Sequence, residues 1–115
     1  MNVQLFGTKK CAETRKAERW FKERRVTLHV VDLGQKGMAP GELRNVAARV
    51  GGFEALIDRE GKRYLDKGLK YAAPTGPRIE QALVDDPLLL RTPIARCEGR
   101  ATVGYQPDVW QTWLG

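Results

Sequence analysis

Cysteine is scarce in this chain, with only Cys11 and Cys97 among 115 residues. Two cysteines are too few for a disulfide-stapled secreted scaffold, and in a reducing compartment they are expected as free thiols. Histidine is scarcer still. His29 is alone, and with two distant cysteines it cannot supply the three or four ligands of a zinc site, so no metal is expected. No apolar run approaches the roughly 20 residues needed to span a bilayer. The start lacks the apolar core and small-residue cleavage site of a signal peptide, so the expected location is cytoplasmic, away from membranes. Internal repeats and low-complexity tracts are also missing.

Negative charge is in the minority. Fourteen Asp and Glu stand against 20 Lys and Arg, giving a formal charge of +6 and a pI near 9.6. Such an excess steers acidic or phosphate-bearing partners toward a surface. Basic residues are nevertheless interleaved with acidic ones in every segment, and no nucleic-acid motif is present. A solvated basic surface is therefore expected in place of direct nucleic-acid binding. What is plentiful is apolar residues, 42% of the chain, enough for one core in a single domain spanning 1–115. A monomer is expected.

VQLF at 3–6 reads as a strand ended by Gly7 and Thr8. From Cys11 to Arg25, Ala17, Trp20 and Phe21 recur at helical spacing. Glu13 in the first turn and Lys22, Arg24 and Arg25 in the last complement the helix dipole. VTLHVVDL at 26–33 reads as a largely buried strand, completing a βαβ unit with a parallel pair. A loop at 34–42 leads to a helix carried by Leu43, Val46, Ala47 and Val50 and ended by Gly51 and Gly52. FEALIDREGKRYLDKGL reads as short helices. Ile79, Ala82 and Leu83 mark another, closed before Pro87. LLLRTPIAR and RATVGY read as two strands of a hairpin split at 97–99, and PDVWQTWL as a closing helix whose Trp110 and Trp113, like Trp20, pack a core.

Cys11 thus falls where a helix begins. Unpaired N–H groups and the positive end of the macrodipole favour a thiolate there, and Lys10 adds charge beside it. Arg15, one turn on, stands where a guanidinium would hold an oxyanion or the carboxylate of glutathione. On the residues alone, a small packed cysteine and a solvated Arg15 fit equally well. Pro93, in the run RTP, marks an edge strand, a bulge or a cis bond; on the residues alone an edge strand is the first expectation. His29, inside a strand away from Cys11, is expected as a surface or satisfied histidine and not a base. Cys97 would resolve an oxidised Cys11 only if their Cα atoms came within about 7 Å, and packing is its expected role.

A βαβ unit with a cysteine at the helix start, followed by a hairpin entered through Thr-Pro, resembles a thioredoxin-like fold in which the proline is cis and faces the cysteine. More narrowly, LFGTKKCAETRKA at 5–17, ALIDREGKRYLDKGL at 55–69 and RTPIARCEGRATVGYQPD at 91–108 resemble the arsenate reductase family, which contains ArsC, Spx and YffB proteins. The resemblance implies an α/β fold: a βαβ unit, a helical insertion at about 38–87, then a C-terminal β-hairpin and helix. It implies Cys11 as nucleophile, Pro93 as the cis-proline, and Lys10, Arg15, Arg91, Thr92 and Arg100 around a bound oxyanion or glutathione. Departures are visible. Gly7 stands where glutathione-linked arsenate reductases have histidine, and Thr92 where they have arginine, with Arg91 one residue earlier and so on the opposite strand face. Arg59, Glu60 and Arg63 fall near the insertion's arginine.

The implied activity is that of a monothiol oxidoreductase or arsenate reductase that binds no cofactor and takes electrons from glutathione or glutaredoxin. The alternative is an Spx-like adaptor that binds the RNA polymerase α subunit or another protein without catalysis. Spx proteins typically switch through CxxC; here the second position is Thr14, so that disulfide does not exist.

Overall fold

The computed structural model describes residues 1–66 and 76–114. Four strands form one sheet in the order β2-β1-β3-β4: β1 is Asn2–Gly7, β2 Thr27–Asp32, β3 Ile94–Cys97 and β4 Arg100–Val103. β1 pairs parallel with β2, and antiparallel with β3 through Phe6↔Ile94 and Gln4↔Arg96; β3 and β4 form the hairpin. Glu98 and Gly99, at φ 48° and 79°, make its two-residue turn, whose backbone twist matches that of paired strands.

Alternation along the two central strands feeds two cores. Val3 and Leu5 of β1, with Ala95 and Cys97 of β3, pack under helix α1 (Ala12–Glu23) and the C-terminal helix α5 (Pro107–Leu114). On the opposite face Phe6 and Ile94 meet Leu43 and Val46 of α2 (Pro40–Val50). The first core is aromatic. Trp110 lies 4.7 Å from Phe21 and 5.6 Å from Trp20 between ring centroids, and its indole N–H donates to Thr102 Oγ1 at 2.8 Å, so its burial leaves no unpaired donor.

The expected insertion supplies α2, a 3₁₀ turn at Phe53–Leu56, α3 (Lys62–Asp66) and α4 (Gly76–Asp85). The end of the expected 55–69 motif, residues 67–69, lies outside the described residues. The insertion returns to the sheet through backbone bonds from Asp58 N to Leu89 O, 2.9 Å, and Arg91 N to Leu56 O, 2.7 Å.

Three expectations need correction. β2 is not largely buried: it is an edge strand, with Thr27, His29 and Val30 exposed, because β1 accepts β3 on its other side and takes the central place. LLLR is not strand. Pro87 opens a 3₁₀ turn at Pro87–Leu89, and the strand starts only after Pro93. Nor does Pro93 mark a sheet edge, since β3 lies between β1 and β4.

Candidate functional site around Cys11

β1 ends at Gly7, and the chain turns through Thr8–Lys10 with Cys11 N donating to Thr8 O at 3.2 Å. Cys11 then occupies the N-cap position of α1 with extended backbone angles, φ −80° and ψ 115°. Its side chain, partly buried, stands over the free amides of the first turn. Across from it, the Thr92–Pro93 peptide is cis, and Cys11 Sγ is 3.9 Å from Thr92 O. Pro93 is fully buried.

Two opposed effects set the acidity of this thiol. Burial raises its pKa, but hydrogen bonds from the side chains of Thr14 and Thr92 and the backbone N–H groups of Thr14 and Glu13 together outweigh it, so the pKa lies below the ordinary value. Thr14 Oγ1 has no partner within normal hydrogen-bond geometry among the described residues, although its closeness to Cys11 acidifies the thiol. The two observations agree if the hydroxyl donates only once a thiolate forms, and sulfur anions accept strongly from O–H donors.

Thr14 is the residue that sequence reasoning missed, reading it only as the place of an absent second cysteine. Its signal was there: it lies three residues before Ala17 and seven before Phe21, on the same buried stripe of α1. Gly7 makes room for it. A Cβ added to Gly7 would overlap the Thr14 side chain, so the histidine found at that position in glutathione-linked reductases does not fit beside Thr14.

Of the sequence-predicted site residues, the fold brings Thr92 and Pro93 to Cys11. Lys10 stands exposed in the preceding loop. Arg15 turns back onto that loop, its Nη1 donating to Lys9 O at 2.7 Å. Arg91 lies over Gly104, where an added Cβ would meet its Nη2 at 3.2 Å, and Gly104 N donates to Pro93 O at 2.8 Å. Arg100 does not join the thiol. It pairs with Cys97 across the turn end of the hairpin, reaches Glu98 at 3.7 Å and covers the Trp113 ring at 5.4 Å. The hairpin runs away from Pro93, so the register that builds the sheet removes Arg100 from the site. Cys97 is remote for the same reason: four residues of strand at about 3.3 Å each separate it from Pro93, roughly 13 Å and well beyond disulfide reach. It is buried in the aromatic core, and both cysteines are free. Among the described residues no three His, Cys, Asp or Glu side chains converge as metal ligands.

Known proteins match this arrangement. The ArsC family model covers residues 6–113. Global transcriptional regulator Spx 2 of Oceanobacillus iheyensis is 27% identical over 109 residues, covering 94% of this chain and 80% of that protein. The uncharacterized protein YusI of Bacillus subtilis is 22% identical over 96% of this chain and 97% of its own length. Among solved structures, a YffB protein superposes with a TM-score of 0.85 at 27% identity, covering 98% of this chain and 99% of that one. The arsenate reductase from Vibrio cholerae gives 0.85 at 19% identity, covering 97% of each. Cysteine-led helix, cis-proline hairpin and helical insertion fall within one matched span, and the chain belongs to the ArsC family.

Proposed function

We propose that this protein is a monothiol oxidoreductase with Cys11 as its nucleophile, acting on glutathione mixed disulfides. The observation that carries this reading is the convergence of hydroxyl and amide donors on one sulfur beside cis-Pro93. Those groups stabilise the thiolate, which is the attacking species, and a thiolate with pKa near ambient pH attacks fastest.

In the first step the Cys11 thiolate attacks the glutathione sulfur of a mixed disulfide. The old S–S bond breaks, a Cys11–glutathione disulfide forms, and the substrate leaves as a thiolate that takes a proton from water. A second glutathione thiolate then attacks the glutathione sulfur on Cys11, releasing oxidised glutathione and restoring the Cys11 thiolate. The net reaction turns one mixed disulfide and one free glutathione into the substrate thiol and oxidised glutathione, and no second protein cysteine is needed, in keeping with Thr14 at the fourth position of the motif. Arsenate is the less supported substrate, because recognition of a tetrahedral oxyanion calls for converging guanidinium groups. Here the two guanidinium groups do not converge: Arg15 turns back onto the Lys9 carbonyl and Arg100 is held at the hairpin turn.

Two turnover assays, a glutathione mixed-disulfide reduction and a glutaredoxin-coupled arsenate reduction, test this. Turnover is expected in the first, with Cys11→Ser abolishing it. Retained activity in Cys11→Ser, or no turnover in either assay, contradicts the reading. The likeness to Spx 2 favours a second one, a regulatory adaptor binding a protein such as the RNA polymerase α subunit. Specific capture of that subunit by wild type and Cys11→Ser alike, without turnover, would establish the adaptor in its place.

A further inference from the structure

Across much of the molecule the basic side chains are paired: Lys22, Arg44, Arg59, Arg63, Arg96 and Arg100 each reach a carboxylate. Those around Cys11 are not. Lys9, Lys10, Arg15, Lys16 and Arg19 are exposed, and none has an acidic partner among the described residues. Lys9 and Arg15 line, with Thr14, an open cavity on the β2 side of the thiol. Lys16 lies on the β4 side, its ammonium 5.8 Å from the ring centre of Tyr105, which follows the Gly104 amide bonded to Pro93 O. Cations therefore stand on both flanks of the sulfur. Glu13 of the first turn and Asp32 of the cavity wall are the acids without an ion pair there, since Glu18 is taken by Lys22. Five positive charges against these two leave an excess even after Cys11 ionises.

Clustered like charges repel one another, a cost that an anionic partner removes. Their layout narrows what that partner is. Cys11, Arg15 and Arg19 follow at intervals of four residues, one row on a single face of α1 with steps of about 6 Å. An extended chain advances about 3.3 Å per residue, so its alternate side chains match that step. A segment whose cysteine sits at Cys11 brings the side chains two and four residues away over Arg15 and Arg19. Arg15 spends one N–H on Lys9 O and keeps four, enough for a bidentate carboxylate. The thiol at the foot of the row calls for a disulfide, which a peptide carries and a nucleic acid does not.

We propose that the row from Cys11 to Arg19, with Lys9, Lys10 and Lys16 beside it, docks an extended acidic segment of a partner protein whose disulfide-bonded cysteine is presented to Cys11. The inference rests on the thiol–disulfide reading above and names the substrate class of that site: the leaving thiolate belongs to an acidic protein segment and not to a small metabolite. The bond changes are those already given, with the partner's cysteine sulfur as the leaving group.

The test uses three synthetic nonapeptides, each S-glutathionylated on a central cysteine and carrying Glu, Ser or Lys at the second and fourth positions on either side. The rate of peptide release by the full chain is divided by the rate for the same peptide with 2-mercaptoethanol, which removes the effect of the flanks on the leaving thiol. At low ionic strength the Glu peptide should be released at least about tenfold faster than the Lys peptide, the low end of electrostatic steering, with the Ser peptide between them. Screening should bring that ratio close to one at about 0.5 M salt. Arg19→Glu and Lys16→Glu, both at exposed positions, should each lower the ratio at least about threefold. In a second arm the same peptides with S-methylcysteine, which cannot react, are titrated into the ¹⁵N-labelled chain, and saturable shifts at the Arg15 and Arg19 amides are expected with the Glu peptide alone. Equal normalised release of the three peptides, a preference that survives salt or both variants, or equal shifts with the Lys peptide would overturn the proposal. Equal release would keep the oxidoreductase reading and remove the acidic partner, whereas Glu-selective binding without release of any peptide would remove the oxidoreductase reading alone. Neither binding nor release would remove both.

Discussion

The Thr14 hydroxyl, pressed against Gly7 and unpartnered beside a neutral thiol, becomes a donor once Cys11 ionises. The same position held by cysteine supplies a resolving thiol; held by threonine it supplies a fixed proton that stabilises the anion and leaves the chemistry to one sulfur. Thr14→Ala should therefore raise the Cys11 pKa and slow its alkylation near neutral pH, whereas Thr14→Ser should restore both. The pH profile of the iodoacetamide rate reads this directly. A purely structural Thr14 would leave the profile in place after Thr14→Ala, whatever it did to stability. Thr92, on the other side of the sulfur, acts in the same direction, so the shift in Thr14→Ala is a partial one.

At the scale of elements, the joint after β4 ties the hairpin to the site. Gly104 has φ 85°, donates its N–H to Pro93 O and carries the Arg91 guanidinium over its Cα. Gly104→Ala forces a Cβ into a left-handed backbone and against Arg91 at 3.2 Å. A loss of about 1–2 kcal/mol is expected from the backbone alone, read as a lowered urea midpoint; an unchanged midpoint would contradict the assigned conformation. Much at this scale was legible in the sequence. The start of α1 followed from Cys11, Glu13 and the apolar stripe, and the last helix from Trp110 and Trp113, because helical periodicity is a local property. The burial of β2 was not legible, since Val30 and Val31 look the same in an edge strand as in a central one and only sheet order separates them. Leu88, Leu89 and Leu90 read as strand because an apolar run serves a core equally from a 3₁₀ turn. Arg100 lay beyond sequence reasoning for a related reason: its distance from Cys11 is set by hairpin register, which the residues around it do not encode. The place of Cys11 at the helix start was legible through its motif, while Thr14, its neighbour on α1, was hidden by being polar on a buried stripe.

For the whole molecule, a thiol acidified by folding couples the reactive state to stability. Cys11 has a lower pKa in the native protein than the ordinary thiol value of 9.0 expected of the unfolded chain. Between those two values the native state has lost a proton that the unfolded state still holds, so raising the pH through this window favours the fold. The contribution is fully present above the unfolded value and disappears as the pH falls through the native one. Cys11→Ser removes the titration but retains a small polar side chain at the helix start, where serine is itself a favoured N-cap. The difference in urea midpoint between wild type and Cys11→Ser should therefore shift in favour of wild type on going from pH 6 to pH 9, and it should flatten below the native pKa measured by alkylation. Other ionisable groups titrate alike in both proteins and cancel in the comparison. A difference that is constant across this range would mean that the fold does not stabilise the thiolate, and the donors of Thr14, Thr92 and the first turn would then have no claim on the chemistry of Cys11.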